Sequence, residues 1–284
     1  MPATQNMTQV DHEKYQVRQA HWHPEDVHHL MPSGPDVGFL LNRWDERARD
    51  SIALAPAGAV LDVGCGNGRD LVDLARRGWR GCGVEPSSRQ LLEARELIRE
   101  AGGEVALVRA VAERLPFKAG VFDAVLCKSA IDHVTDRDAA LRDFARVLRP
   151  DGRAVVSAVN FGGLTARLSR ASYKVARRVG LMKQDSRRFW DPHVPDEHTF
   201  EGTYANLVGL GARWMSLSEA YGVSLFFGLP RWGWLLAKLP ERWANRVLRT
   251  VDGVADGHPA LADVVVCVLK RRDGTPEPST PAAS

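Results

Sequence analysis

Residues 60–70 read VLDVGCGNGRD. An apolar run interrupted by Asp62 stops at Gly64, and Gly64, Gly66 and Gly68 then alternate with Cys65 and Asn67. A strand that ends in such a turn and opens a helix lets backbone N–H groups and the helix N-terminus approach a ligand closely. The spacing differs from the G-x-G-x-x-G of dinucleotide enzymes, and the Lys and Ser/Thr of a phosphate loop are missing. Glu85, seventeen residues beyond Gly68, closes the next apolar run. A carboxylate there can accept hydrogen bonds from both hydroxyls of a ribose. The glycines and Glu85 together describe a nucleoside without a phosphate chain, held over a strand end.

Outward from this loop, strands and helices alternate from residue 58 to about 160. AVLDVGC, WRGCGVEP, VALVRAV, VFDAVLCKSA and RAVVSAV read as five strands. Between them, GRDLVDLARRG repeats Leu71, Leu74 and Ala75 at helical spacing, and SSRQLLEARELIREAG has Ser87 or Ser88 as its cap and Gly102 as its stop. TDRDAALRDFARVLRPDG puts Leu141, Phe144, Val147 and Leu148 on one face and ends at Pro150 and Gly152. Such alternation predicts a doubly wound α/β domain with a parallel sheet and a ligand site at the carboxyl ends of its strands. Upstream, DVGFLLNRWDERARDSIAL looks helical; downstream, residues 213–228 and ADVVVCVLKRR look like two more strands.

The 284 residues suffice for one large domain, with 44% hydrophobic and 26% charged side chains, and a net charge of +3 is too small to argue for nucleic acid. No apolar run reaches the roughly 18 residues of a membrane span, and the first residues lack a secretory pattern. Cys65, Cys82, Cys127 and Cys267 lie far apart and read as buried thiols in a reducing, cytoplasmic compartment.

Further segments follow the glycine loop and Glu85 in order: AERLPFKAGVFDAVLCKSAIDHV at 112–134 and ARVLRPDGRAVVS at 145–157. With these, the chain resembles the class I S-adenosylmethionine-dependent methyltransferases over residues 58–160, especially the small-molecule branch that includes the ubiquinone and menaquinone methyltransferases. The resemblance implies a Rossmann-like sheet of seven strands whose last, around Cys267, runs antiparallel. It implies S-adenosylmethionine as cofactor, leaving as S-adenosylhomocysteine, and it assigns roles. Asp62 would orient the loop or reach the methionine amino group. Gly64, Cys65, Gly66 and Gly68 would face the methionine and ribose, Glu85 with Pro86 the ribose, Ala112 the adenine edge through its backbone, and Lys128 the methionine moiety. Val111 stands where similar enzymes often carry an Asp that accepts from the adenine amino group. Either Glu113 takes that contact, or packing and backbone alone hold the adenine.

The domain is expected over 36–272, with a helical N-terminal lid segment at 1–35, substrate-side inserts at 160–205 and 229–258, and a disordered tail at 273–284. His133, over the donor methyl, is the candidate base for a hydroxyl acceptor, with Asp132 orienting it or binding substrate, and His198 a further catalytic candidate beside His193 and Glu197. His12, His21, His23, His28 and His29 invite a metal, but the loop chemistry calls for none, and no metal is expected. By analogy, Tyr15, Trp22 and His23 would line the acceptor pocket.

Eight Lys or Arg fall between residues 164 and 188 against Asp185, beside a stripe of Leu164, Leu168, Ala171, Val175 and Val179. Phe226, Phe227, Trp232, Trp234 and Trp243 fall within eighteen residues. These inserts suit a lipophilic acceptor such as an isoprenoid, quinone-like or polyketide-like molecule, a peripheral membrane or lipid contact, or a homodimer interface. The sequence thus reads as a methyltransferase acting on an O or C atom of a small metabolite, with no nucleic-acid partner. The rivals are an RNA or protein methyltransferase and a cofactor-binding module without turnover.

Overall fold

The computed structural model describes residues 34–53, 57–181 and 202–272. Seven strands form one sheet: β1 (Ala59–Val63), β2 (Arg80–Val84), β3 (Ala106–Val108), β4 (Phe122–Lys128), β5 (Leu148–Val159), β6 (Met215–Val223) and β7 (Val264–Arg271), in the order β3-β2-β1-β4-β5-β7-β6. The first five are parallel, with Leu61 opposite both Cys82 and Val125, and Cys127 opposite Val156. β7 inserts antiparallel between β5 and β6, with Cys267 opposite Val156 and Ala220. The chain winds outward from β1 to β3 and then returns to β4. The crevice outside β1 and β4 is therefore the switch point where such sheets bind ligands.

Both faces are covered, so the inner strands are apolar throughout. Helix α1 (Pro35–Ala53) buries Leu40, Trp44, Ala48 and Ile52, one residue per turn, on Val60, Ala124, Leu126, Val155 and Val266. The indole N–H of Trp44 donates to Ser157 Oγ at 2.8 Å. Helix α2 (Arg69–Arg76) packs Leu71 and Val72 on Ala94 and Ile98 of α3 (Ser88–Glu100). On the opposite face α4 (Arg137–Val147) buries Leu141 and Phe144 on Leu61, Val125 and Val156, and α6 (Tyr204–Val208) adds Leu207. Helix α5 (Leu164–Arg178) follows β5; α7 (Trp232–Leu236) and α8 (Glu241–Gly257) follow β6. All four cysteines are buried and unbridged.

The element boundaries choose between the sequence's alternatives at one point and depart from its reading at others. Ser87 caps α3, its Oγ accepting from Gln90 N. Helix α4 stops at Val147, before Pro150, because Leu148 already pairs with Phe122 as the start of β5. β3 keeps only three residues, since the chain turns beneath the ligand crevice after Val108. Helix α5 docks through Thr165, Ala166 and Ser169, leaving Leu168, Val175 and Val179 exposed, so the apolar stripe is not its packed face.

After β6 the chain makes a strained turn, with Ser224, Phe226 and Arg231 in the left-handed region. Asp263 secures the turn from within the protein, accepting from Phe227 N at 2.9 Å, while Phe226 N donates to Thr165 Oγ1 at 2.7 Å. Burial pushes the Asp263 carboxyl up to about 7, against the opposing pull of the Thr165 hydroxyl, the Phe227 amide and the Ser224 hydroxyl. An acid raised on folding binds its proton more tightly in the native state, so stability declines as pH rises from its usual range near 3.8 through about 7. In Asp263→Asn that component disappears. Between about pH 5 and about pH 8, the native chain's melting temperature should fall relative to the variant's; parallel curves would mean that Asp263 does not titrate there.

Candidate active site

The crevice holds a cavity of about 340 Å³. Its walls come from the turn after β1, the ends of β2 and β4, the segment after β3 and the middle of α1. Gly64, Gly66 and Gly68 have φ values of +72°, +52° and +80°. Side chains would be strained there, and a Cβ on Gly64 would come within 2.4 Å of Ala130 Cβ. Gly64 N and Cys65 N both donate to Val84 O, which brings the turn against the end of β2.

Glu85, only 6% exposed, ties this turn to the next one. Its Oε2 accepts from Gly66 N at 3.1 Å and its Oε1 from Ser87 N at 2.8 Å. Burial raises the carboxyl's pKa, while these two amides and the charge of His133 lower it. Each carboxylate oxygen keeps accepting capacity beyond these bonds, as ribose binding requires.

Beside it lies a network of buried charges. Lys128 Nζ at the end of β4 bonds Asp45 of α1 and reaches Asp70 Oδ2 of α2 at 2.6 Å. Arg49 bonds the same Asp70 at 3.2 Å and Asp73 at 2.8 Å. Burial opposes the charge on Lys128, but Asp70 and Asp45 outweigh it and hold the ammonium above its usual range. Asp62, 2% exposed, has an Oδ2 with no hydrogen-bond partner among the described residues. Burial pushes its carboxyl well up, Asp70 and Glu85 add to this, and Lys128 opposes it.

The remaining predicted residues divide. Cys65, Pro86, Ala112, Glu113 and His133 line the cavity. Glu113 Oε1 also accepts from Thr135 N and Oγ1 at 2.9 and 2.8 Å, which fastens the stretch behind His133. His133 ends a single 3₁₀ turn, Ile131–His133. Asp132 is 3% exposed and is not part of the cavity wall. Gly68 caps α2 behind the turn, with its missing Cβ facing Ala94. His193, Glu197, His198, the N-terminal histidines, Tyr15 and Trp22 lie outside the described residues.

The sequence reading missed Asp45, Asp70, Leu41, Gln90 and Ser129. Asp70 stood in the quoted stretch itself. Ser129, left-handed at φ +54° without being glycine, turns the chain from β4 into the wall and could be found only from the backbone.

Residues 61–156 match the family pattern described as a methyltransferase domain. A demethylmenaquinone methyltransferase from Mycolicibacterium vanbaalenii is 38% identical over 132 residues, 46% of this chain and 54% of that protein, so the chain spans about half that relative's length. The ubiquinone/menaquinone biosynthesis C-methyltransferase UbiE of Serratia proteamaculans is 31% identical over 220 residues, 65% of this chain and 85% of that one. A solved S-adenosylmethionine-dependent methyltransferase from Thermotoga maritima shares the fold at a TM-score of 0.52 and 23% identity, covering 84% of this chain and 91% of that one. The [4+2]-cyclase SpnF does so at 0.53 and 21%, covering 81% and 80%. The chain belongs to the class I S-adenosylmethionine-dependent methyltransferases. Within that class it is similar to the ubiquinone and menaquinone methyltransferases.

The residues present fit the cofactor of this class. The orphaned Asp62 oxygen suits an ammonium, Glu85 suits a ribose, and a wall holding Asp45, Asp62, Asp70, Glu85 and Glu113 against Lys128 and Arg69 suits a sulfonium cation.

A Cβ at Gly66 would lie 3.0 Å from Gln90 Oε1 on a backbone that disfavours any side chain. In Gly66→Val the hydrogen bond from the backbone N–H at 66 to Glu85 should fail, and calorimetry should show affinity for S-adenosylmethionine at least about tenfold weaker. Gly78→Ala, equally left-handed but facing open space, provides the control: it should lower the melting temperature and leave affinity unchanged. Equal affinity in both variants would refute the role of the loop.

Proposed function

We propose that the chain transfers a methyl group from S-adenosylmethionine to a small, lipophilic, quinone-like acceptor, at an oxygen or a ring carbon. The observation that carries this reading is the make-up of the cavity. Beside carboxylates suited to a nucleoside, its wall includes Leu41, Val111, Ala130 and Val134 and, among the described residues, one histidine, His133.

The cofactor, when bound, supplies a methyl group already activated on a sulfonium, so the chain's work is alignment and exclusion of water. Glu85 and the glycine turn hold the nucleoside. Asp62 takes the amino group, and the acidic wall favours the cationic donor. Lys128 acts through Asp45 and Asp70, fixing α1 and α2 around the site. Because Glu113 is engaged by Thr135, we assign adenine recognition to packing and to the backbone around Ala112. His133 removes the proton of an acceptor hydroxyl. In a hydroquinone this raises electron density both on the oxygen and on ring carbons, so one base serves either product. The relatives' names, demethylmenaquinone methyltransferase and C-methyltransferase, support a ring carbon.

The test is incubation with labelled S-adenosylmethionine and a panel of hydroquinones, naphthoquinols and lipophilic phenols, followed by mass spectrometry of the products. Tight cofactor binding without transfer to any of them would favour a module that does not turn over. Transfer to RNA or protein instead would displace the small-molecule reading. With an accepted substrate, His133→Ala should lower kcat by roughly 100-fold while cofactor affinity stays within about threefold, in the range of general-base contributions. An unchanged kcat would remove His133 as the base.

A further inference from the structure

Helices α7 and α8 turn an apolar, cationic face to the outside. Their inner side is ordinary core, where Leu236, Ala244 and Leu248 pack with Phe39 of α1. On the outer side Trp234 is 59% exposed, Leu235 52%, Leu239 43% and Trp243 48%. Between residues 229 and 251 stand Arg231, Lys238, Arg242, Arg246 and Arg249, all exposed, against the single acid Glu241. The cations accompany the rings: Lys238 Nζ lies 5.3 Å from the centre of Trp234, and the Arg246 guanidinium 5.7 Å from that of Trp243. Exposed indoles beside long basic side chains are how a protein seats in the headgroup layer, the rings at the acyl boundary and the charges reaching the phosphates.

The position of this face matters as much as its chemistry. β5 and β6 both run antiparallel to β7, so β6 ends at the same edge of the sheet as β1 and β4, where the cavity opens. Helix α1 joins the two: Phe39 packs under α7 and α8, while Leu41 and Asp45 line the cavity. No described helix is long and apolar enough to cross a membrane.

We propose that the α7–α8 face docks on an anionic lipid surface, placing the cavity mouth beside acceptors dissolved in the membrane. Docking itself does not depend on the acceptor's identity; only its use for delivery rests on the function proposed above.

The full-length chain is sedimented with sucrose-loaded vesicles of phosphatidylcholine, with and without phosphatidylglycerol, at low and high salt. Binding should require the anionic lipid and weaken with salt. The double variants Trp234→Ala/Trp243→Ala and Lys238→Glu/Arg246→Glu should each reduce partitioning at least about tenfold. Both should keep the native melting temperature and native affinity for S-adenosylmethionine, because these side chains are exposed and outside the cavity. Failure of the native chain to bind anionic vesicles would overturn the proposal, whether residues 1–33 or a second copy covers the face. So would variants that bind as well as the native chain. A dimer that dissociates in the tryptophan variant, without vesicle binding, would assign the face to self-association instead. A chain that binds vesicles but methylates nothing would uphold the docking and reject the function.

Discussion

Lys128 sits between Asp45 and Asp70, and most of the site's geometry depends on that contact. Removing an ammonium from water costs several kcal/mol unless charge and hydrogen bonds replace the lost hydration. Here the replacement comes from two helices that are otherwise independent in sequence. Helix α1 supplies Asp45, α2 supplies Asp70, and the end of β4 supplies the lysine. The ion network is therefore also a clamp on position: neither helix can drift without leaving a buried charge uncompensated. Arg49 extends it to Asp73, so the acids of α2 are held by one cation from α1 and one from β4.

The clamp leaves a local surplus of negative charge, and Asp62 bears its effect. Buried, facing Asp70 and with one oxygen unpartnered, it is costly for the empty protein to keep ionised. In the function proposed above, the cationic amino group of the donor would relieve that cost. The turn above it is held by the same logic in a different form. Glu85 is buried because two backbone amides, Gly66 and Ser87, point at it. The Gly66 amide reaches it from a turn that is left-handed at Gly64 and Gly66, where side chains are poorly tolerated, and the Ser87 amide from the extended cap of α3.

What the sequence disclosed follows from the range of each interaction. The alternation of strands and helices, the glycine turn and the acid after β2 are local patterns, and the structure repeats them. Which strands are neighbours is not local: the resemblance implied an antiparallel last strand, and the structure alone places β7 between β5 and β6. Element ends shifted where pairing overruled propensity, as when Leu148 left its helix to pair with Phe122. The partners of Lys128 were illegible because Asp45 lies 83 residues away, and a lone acid on an amphipathic helix reads as solvated. The stripe on α5 misled for a related reason. Apolar spacing says that one face differs from the other, and at α5 the tight fit of Thr165, Ala166 and Ser169 decided which side turned inward.

Helix α1 connects these levels, because its successive turns face different partners. Phe39 contributes to the α7–α8 core, Arg43 pairs with Asp252 at 2.7 Å, Trp44 bonds Ser157, and Asp45 meets Lys128. Four different constraints thus act within seven residues, three of them buried or part-buried polar contacts that a shift of one turn would leave unsatisfied. A helix so constrained transmits displacement poorly and fixes distance well. One helix thus carries both the residue that packs with α7–α8, Phe39, and two residues of the cavity wall, Leu41 and Asp45. On the docking proposed above, an acceptor arriving beside that face would lie a few residues of α1 away from the wall that Leu41 and Asp45 contribute.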